Sequence, residues 1–298
     1  MKDFTTFNNS RLPLGLFAKS LLITTRFANF AATLRWHLLS LYRYRHPELM
    51  DLYLEERQLP FVLQRLIQED SNAVDIGCHI GSFLRLLTQW APRGHHIAFE
   101  PSLSKSEWLR KRFPEAEVIA SAVADQSGSA CFVEDLEKPG FSRLAFKSGN
   151  LPRGDKARTR TYQVSVCRLD DVLLSRRVDL IKLDIEGGEL PGLRGAKHTI
   201  ERWQPSIIFE CGPEFHLQTA DLSRSELFDF ISQELGYKIY TFSDFLFDKG
   251  GLSADEFRKC GLYPFRAFNF IALPHSKETD GQMDRAGRRL DYRGIPFG

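Results

Sequence analysis

Short apolar runs and amphipathic segments alternate along residues 73–273. The apolar runs predict strands at residues 73–76, 96–100, 117–123, 178–184, 205–210, 237–242 and 268–273. Apolar residues at helical spacing predict helices between them, at residues 82–90, 105–113, 169–174, 191–203 and 225–235. This alternation is typical of an α/β protein with a doubly wound, mostly parallel sheet. No helix is predicted between the last two strands, so we expect an antiparallel strand at the edge of a seven-stranded sheet.

Two features inside this region have their own local signals. Ser104 and Glu107 form a capping-box pattern, which predicts where the second helix begins. Residues 129–133 and 162–167 predict two further strands, joined by a Gly-, Pro- and Arg-rich loop at about residues 137–160. Loops of this length inside a compact domain are usually functional or disordered. We therefore expect this loop to help select a substrate.

The segment before residue 71 has a different pattern. Apolar residues recur at roughly helical spacing between residues 17 and 41, accompanied by an excess of basic residues. One interpretation is a basic amphipathic helix that contacts a membrane surface or an anionic polymer through residues 1–46. The other is a helical cap packed on the core with a solvated basic face. A second helix is predicted over residues 49–67, with a break or kink at Pro60.

These patterns predict three parts of the chain. Residues 1–70 form a helical N-terminal extension, residues 71–275 the α/β domain and residues 276–298 a loose polar tail. The formal net charge is only +2, with 40 Lys and Arg against 38 Asp and Glu, so a nucleic-acid partner is not expected. The five cysteines are scattered and no signal peptide or membrane-spanning stretch is evident, which predicts a cytoplasmic protein.

The first predicted strand runs into a glycine turn with an acidic residue ahead of it. Its spacing, Asp75-x-Gly77-x-x-x-Gly81, differs from the Gly-x-Gly-x-x-Gly that binds a pyrophosphate. Gly77 allows the turn, and Gly81 allows the helix start to approach a strand or a ligand closely. A carboxylate here disfavours a phosphate and suits a cationic or hydroxyl-rich ligand, and S-adenosylmethionine is such a ligand. His79 lies inside the turn, where it either contacts a cofactor or faces solvent.

Further acidic residues follow the other predicted strands. Glu100 lies 25 residues after Asp75, close to the spacing at which a carboxylate binds the ribose of a nucleotide cofactor. Asp184 and Glu186 follow the fourth strand beside the glycine turn, and Glu189 begins a helix, where the helix dipole favours a carboxylate. Two or three of these carboxylates could also hold a divalent metal, but no His stands at ligand spacing, so we expect none.

The ordered segments resemble the FkbM-type methyltransferases, a family of class I S-adenosylmethionine-dependent methyltransferases. The most specific part is the block Lys182-Leu-Asp-Ile-Glu-Gly-Gly-Glu189 after Leu169-Asp-Asp171. The other matching segments are residues 74–81, 98–101, 121–128, 193–196 and 204–210. The resemblance covers roughly residues 72–212 and departs at His79, where the family more often has Asn. It implies a class I methyltransferase sheet, S-adenosylmethionine as cofactor and O-methylation of a sugar, polysaccharide or natural product.

The resemblance and the positions of the residues together predict roles in the site. We expect Asp75, Gly77 and Gly81 at the methionine part of the cofactor and Glu100 at its ribose. The adenine is expected beside Ala122, Val123 and Asp125. The catalytic candidates are Asp184 and Glu186, with His216 behind them, acting on a hydroxyl-bearing small molecule or glycan.

Two other functions remain open at this stage. A nicotinamide-dependent dehydrogenase could use a similar sheet, although the third glycine of its fingerprint is missing and Asp75 would repel the pyrophosphate. A non-catalytic module on the same fold could bind an anionic glycan or membrane through the basic N-terminal segment.

Overall fold

A computed structural model of the chain describes residues 37, 40–135, 142–145, 159–173, 175–213 and 223–277. Its strands are β1 (Ala73–Ile76), β2 (His96–Phe99), β3 (Glu117–Ile119), β4 (Ala122–Val123), β5 (Gly128–Asp135), β6 (Arg143–Ala145), β7 (Thr159–Cys167), β8 (Leu180–Leu183), β9 (Ser206–Glu210), β10 (Tyr237–Thr241) and β11 (Asn269–Pro274). Its α-helices are α1 (Ser40–Arg45), α2 (Met50–Leu66), α3 (Ser82–Trp90), α4 (Leu103–Arg112), α5 (Leu169–Leu173), α6 (Glu189–Arg194), α7 (Lys197–Trp203), α8 (Arg224–Asp229), α9 (Phe242–Leu246) and α10 (Ala254–Cys260).

Seven of these strands form one sheet in the order β10-β11-β9-β8-β1-β2-β3. Neighbouring strands from β9 to β3 are parallel, whereas β11 is antiparallel to both β9 and β10. The predicted doubly wound, seven-stranded sheet is therefore confirmed, and so is its antiparallel end. The antiparallel strand itself lies one position in from the edge, because β10 pairs along its outer side.

Apolar side chains of the central strands alternate between two cores, one on each face of the sheet. Val74 and Ile181 belong to the core that α5–α8 and α10 cover. Ala73 and Leu180 belong to the core that α2, α3, α4 and α9 cover. Since successive side chains of a strand point to opposite faces, the continuous apolar runs in the sequence fill both cores.

The segment predicted as one strand at residues 117–123 is divided between two sheets. Its first part, β3, is the edge of the large sheet, and its second part, β4, begins a smaller sheet in the order β4-β7-β5-β6. The chain changes sheets at Ser121, whose hydroxyl donates to the carbonyl oxygen of Ser165 on β7 at 3.0 Å. The smaller sheet contains the two strands that were predicted at residues 129–133 and 162–167, each longer than expected.

Several predicted helix boundaries were wrong, each for a local reason. Helix α4 begins at Leu103, so Ser104 and Glu107 form no capping box; Glu100 accepts the Ser102 N–H at 2.9 Å and starts the turn earlier. The single helix expected at residues 191–203 is two helices, α6 and α7, because Gly195 packs against the backbone of Ala124.

Two short helices, α9 and α10, lie between β10 and β11, where no helix was predicted. Thr241 caps the first, and Ser253 with Glu256 forms a capping box at the second. That capping box is visible in the sequence and is the signal that was missed.

Helix α2 packs on the face of the sheet that α3, α4 and α9 also cover. It does not end at Pro60, which lies inside the helix. Val62 and Leu63 are fully buried in the core beneath the sheet, and Gln58 donates to Ser243 of α9 at 2.8 Å. Most of the segment proposed to contact a membrane, most of the 137–160 loop and nearly all of the tail fall outside the described residues. No helix in the described ranges is long and apolar enough to span a bilayer.

Candidate functional site

A cleft of about 230 Å³ lies where the central parallel strands end, as expected for ligand sites in open α/β sheets. Its floor consists of the turns that follow β1, β2 and β8 together with the end of β9. Residues of β4, β5 and β6 complete the lining, so the smaller sheet borders the cleft at the strand ends of the larger one. The cleft is therefore enclosed by parts of the chain that are far apart in the sequence.

Gly77 joins the turn after β1 to the turn after β8. Its φ is +81°, and a Cβ atom at this position would lie 1.9 Å from the backbone oxygen of Asp184. Any other residue would combine strained backbone with an overlap against backbone atoms that cannot move independently. Gly77 thus allows the turns after β1 and β8 to lie in contact.

Replacing Gly77 by Ala should lower the free energy of unfolding by about 2 kcal/mol or more. Urea titration followed by circular dichroism measures this change. The matched control is Gly250→Ala, because no atom lies within 4 Å of the added methyl group there. Equal stability of the two variants would contradict the role given to Gly77.

Lys182 lies between two carboxylates and lines the cleft floor. Its Nζ donates to Asp184 Oδ2 at 2.9 Å and lies 3.6 Å from Asp75 Oδ1. Asp75 is completely buried, and this burial raises its pKa while the charge of Lys182 opposes the rise. Burial lowers the pKa of Lys182, but Asp184 and Asp75 outweigh it and raise the pKa overall. The ammonium group therefore stays charged and fixes both carboxylates.

Glu100 is the acidic residue at the opposite end of the cleft. Its carboxylate accepts the His79 N–H and the Ser102 N–H, each at 2.9 Å. Only 3% of the residue is exposed, and burial raises its pKa against the opposing charge of Lys105. Each carboxylate oxygen has a further lone pair, so Glu100 can accept hydrogen bonds from two neighbouring hydroxyl groups of a ligand.

Three carboxylates, those of Asp184, Glu186 and Glu210, meet on the cleft floor. Oxygen atoms from all three lie within 4.8 Å of one another. Burial, the charge of Asp184 and a hydrogen bond with Asp184 raise the pKa of Glu210 well above its usual value. Burial works against ionisation of Asp184, but Lys182 and the hydrogen bond from Glu210 hold its pKa low. Of the two carboxyl groups, that of Glu210 is therefore the one that favours the protonated form and donates the hydrogen bond, and that of Asp184 accepts it.

Glu186 stands apart from this pair. Burial raises its pKa to about 8, with further contributions from the charges of Asp184 and Glu189. In the described part of the chain no group donates a hydrogen bond to its carboxylate. Its backbone has φ +52°, a conformation that non-glycine residues rarely adopt and that often marks functional sites. Glu186 thus offers the cleft a carboxyl group that acts as a base once it is ionised, above a pH of about 8.

Glu189 has a structural role in the same turn. It is buried and accepts the backbone N–H groups of Ile185 at 3.1 Å and Gly187 at 3.4 Å. Burial raises its pKa to about 7. Glu189 therefore holds the backbone that presents Glu186.

The carboxylate triangle could also hold a divalent metal. Carboxylate oxygens are the ligands that Mg²⁺ and Ca²⁺ prefer in proteins. Lys182 already neutralises Asp184, which weakens the attraction for a second cation.

The other predicted site residues are distributed unevenly. Ala122 and Val123 line the cleft, but Asp125 is exposed and outside its lining. A Cβ atom on Gly81 would lie 2.4 Å from the ring of Phe113, so this glycine allows α3 to pack against α4. The contacts of Asp125 and Gly81 with a cofactor stay predictions. His216 lies outside the described residues.

The cleft contains further residues that the sequence did not single out. They come from α4, from the crossover between the sheets and from the smaller sheet: Lys105, Ser121, Phe132, Ser142, Arg143 and Leu144. Their proximity to the glycine turn depends on strand pairing between distant segments, for which no local pattern exists. His79 also lines the cleft, with a left-handed backbone of φ +53°.

Comparison with solved structures finds distant similarity. The FkbM methyltransferase from Methylobacillus flagellatus KT is 17% identical with a TM-score of 0.42, over 70% of this chain and 44% of that one. The plantazolicin methyltransferase BpumL, solved in complex with SAH, is 12% identical with a TM-score of 0.39, over 87% and 96% of the two chains.

Comparison of sequences is more specific. Methyltransferase sdnD of Sordaria araneosa is 25% identical over 174 residues, covering 45% of this chain and 67% of that protein. Methyltransferase 1 of Beauveria bassiana (strain ARSEF 2860) is 29% identical over 147 residues, covering 43% and 59%. The FkbM methyltransferase domain matches residues 75–239, more than half of the 298 residues and including all three turns of the cleft floor. The chain therefore belongs to the FkbM methyltransferase family.

Proposed function

We propose that this protein transfers a methyl group from S-adenosylmethionine to a hydroxyl oxygen of a sugar-containing molecule or another hydroxyl-bearing natural product. The observation that carries this proposal is the arrangement of carboxylates in the cleft. Glu100 lies at one end, and the free carboxylate of Glu186 lies at the other, beside Asp184. One end suits the ribose of a nucleoside, and the other suits an acceptor that must lose a proton.

The residues of the cleft fit this cofactor. Glu100 can accept both ribose hydroxyl groups, while Ala122, Val123 and Phe132 offer apolar surface to an adenine ring. The carboxylates of the floor favour a positive charge, which a sulfonium and an ammonium group carry. Asp75 does not line the cleft itself. Its negative charge influences the cleft floor through its ion pair with Lys182. When bound, S-adenosylmethionine supplies a methyl group activated by the sulfonium, which bonds to the acceptor oxygen as the carbon–sulfur bond breaks.

The chain's own residues then have three tasks. Glu186 accepts the proton of the acceptor hydroxyl, since its raised pKa makes it a better base than an ordinary carboxylate. Asp184, held by Lys182 and Glu210, accepts a hydrogen bond from a neighbouring hydroxyl group of the methyl acceptor and so orients that molecule. The apolar side chains of Phe132 and Leu144 in the cleft lining exclude water from the reacting groups.

The test is calorimetric titration with S-adenosylmethionine. We expect binding by the wild type and binding at least about tenfold weaker by Glu100→Gln, because a hydrogen bond to a charged acceptor contributes about 1.5–3 kcal/mol. Glu115→Gln, at an exposed position outside the cleft lining, is the matched control and should bind as the wild type does. No binding by the wild type would overturn the proposal.

The acceptor class is tested by transfer of labelled methyl into glycans, small polyols and amines. Label in hydroxyl-bearing compounds is expected. Label in amines alone would overturn the assignment of O-methylation while leaving methyl transfer intact.

A further inference from the structure

We infer that Arg143 binds a carboxylate or phosphate group of a molecule that occupies the cleft. The inference rests on the proposed function, because the oxyanion belongs either to the methionine part of the cofactor or to the methyl acceptor. It assigns a role to the smaller sheet that the fold alone does not explain.

The position of Arg143 is set by strand pairing. Strand β6 pairs antiparallel with β5, with Arg143 opposite Val133 and Leu144 opposite Phe132. This pairing places Arg143 and its neighbours Ser142 and Leu144 in the cleft lining. The guanidinium group is thus carried by a strand, which holds it at the cleft more precisely than a loop would.

Arg143 is partly buried, yet it makes no hydrogen bond or ion pair with any residue in the described ranges. Other arginines of the chain with low exposure behave differently. Arg65 binds Asp248 at 2.9 Å, and Arg224 donates to the backbone oxygens of Phe257 and Gly212. The Arg143 guanidinium group lines the cleft and keeps contact with solvent, so its N–H donors are accessible to a ligand that supplies acceptors.

The carboxylates of the cleft floor form no ion pair with Arg143. Its charge reaches Glu186, where it opposes the increase in pKa that burial causes, but the two side chains form no ion pair within 4 Å. Glu186 therefore stays available as a base while Arg143 stays available as a donor. The two groups can bind opposite ends of one acceptor, a hydroxyl at Glu186 and an acid at Arg143.

The chemistry of the ligand follows from the guanidinium group. Arginine presents parallel N–H donors that match the paired oxygens of a carboxylate or phosphate. Because both partners are charged, these hydrogen bonds are stronger than those between neutral groups. Two sources can supply such a group. The first is the carboxylate of S-adenosylmethionine, and the second is an acidic acceptor such as a uronic acid or a sugar phosphate.

The experiment uses the full chain and three variants. Arg143→Ala removes the charge, and Arg143→Lys keeps the charge but removes the paired donors. Arg160→Ala is the control, because this exposed residue lies on β7 of the same sheet and its loss changes the net charge equally. Thermal unfolding establishes that each variant is folded, and Arg143→Lys replaces Arg143→Ala if the latter is not.

The cofactor arm compares S-adenosylmethionine with its decarboxylated form by calorimetry. If the oxyanion belongs to the cofactor, Arg143→Ala binds S-adenosylmethionine about tenfold more weakly but binds the decarboxylated form as the wild type does. The acceptor arm adds methyl glucuronoside, glucose 6-phosphate and methyl glucoside to protein saturated with S-adenosylhomocysteine. If the oxyanion belongs to the acceptor, the wild type prefers an acidic sugar about tenfold, and Arg143→Ala abolishes that preference.

Either result supports the inference and identifies the source. If neither preference depends on Arg143, or if Arg160→Ala reproduces both effects, the inference is overturned. Failure of the proposed function gives a different result, since the wild type would then bind no S-adenosylmethionine at all.

Discussion

Replacing Glu186 by Gln should slow methyl transfer by about 10²–10⁴-fold while leaving the affinity for S-adenosylmethionine nearly unchanged. Gln has the same shape but cannot accept the acceptor's proton, so the loss falls on the chemical step. The measurement is transfer of labelled methyl at saturating cofactor, alongside calorimetric titration. Glu201→Gln, at an exposed position outside the cleft lining, is the control and should retain full activity.

The pH dependence gives this prediction a second readout. The pKa of Glu186 is raised to about 8, and a base acts only when it is unprotonated. The value of kcat/KM reports the ionisation of groups in the free protein. It should therefore increase as the pH rises through about 8 and should be low at pH values well below 8. The midpoint for kcat should be lower, because a bound sulfonium stabilises the carboxylate. Glu186→Gln should lose this dependence on pH.

A metal at the carboxylate triangle would produce a different pattern. Glu186→Gln would then weaken the binding of Ca²⁺ or Mg²⁺, and chelation by EDTA would abolish the activity of the wild type. For a metal-free base, activity survives EDTA and added divalent ions change it little. Activity of Glu186→Gln equal to that of the wild type would contradict a role as base outright.

Lys182→Met should have the largest effect on stability. The substitution leaves Asp75 completely buried without a compensating charge and removes the ammonium group that Asp184 binds. Breaking a buried ion pair by removing one partner costs about 3–5 kcal/mol. Urea titration at pH 7 should show a loss of this size. Adding Asp75→Asn should restore part of the stability, because it removes the uncompensated charge.

The control for this prediction is Lys197→Met. Lys197 forms an exposed ion pair with Glu234 at 3.3 Å, and such pairs contribute at most about 1 kcal/mol. A Lys182→Met protein as stable as this control would show that Asp75 becomes protonated and tolerates the loss. In that case Lys182 would not be what holds the cleft floor together.

The sequence by itself determined the large sheet and much of the cleft floor. Apolar periodicity is a local property, and in this chain it marked the seven strands of the large sheet, whereas the expected absence of a helix between the last two of them was wrong. Parallel strands must end at one edge, so residues placed directly after them, such as Gly77, Glu100 and Asp184, were expected to lie together and do.

Only the tertiary structure decided what surrounds these residues. Gly81 contacts Phe113 of α4, residues 117–123 divide between two sheets, and β6 brings Arg143 to the cleft. These features depend on which distant segments pair, and a short strand such as β6 has too few residues to show a period. The protonation of the carboxylates is likewise a tertiary property. The low pKa of Asp184 and the raised pKa of Glu210 arise because β8 and β9 bring two acidic side chains together beside one lysine, away from water.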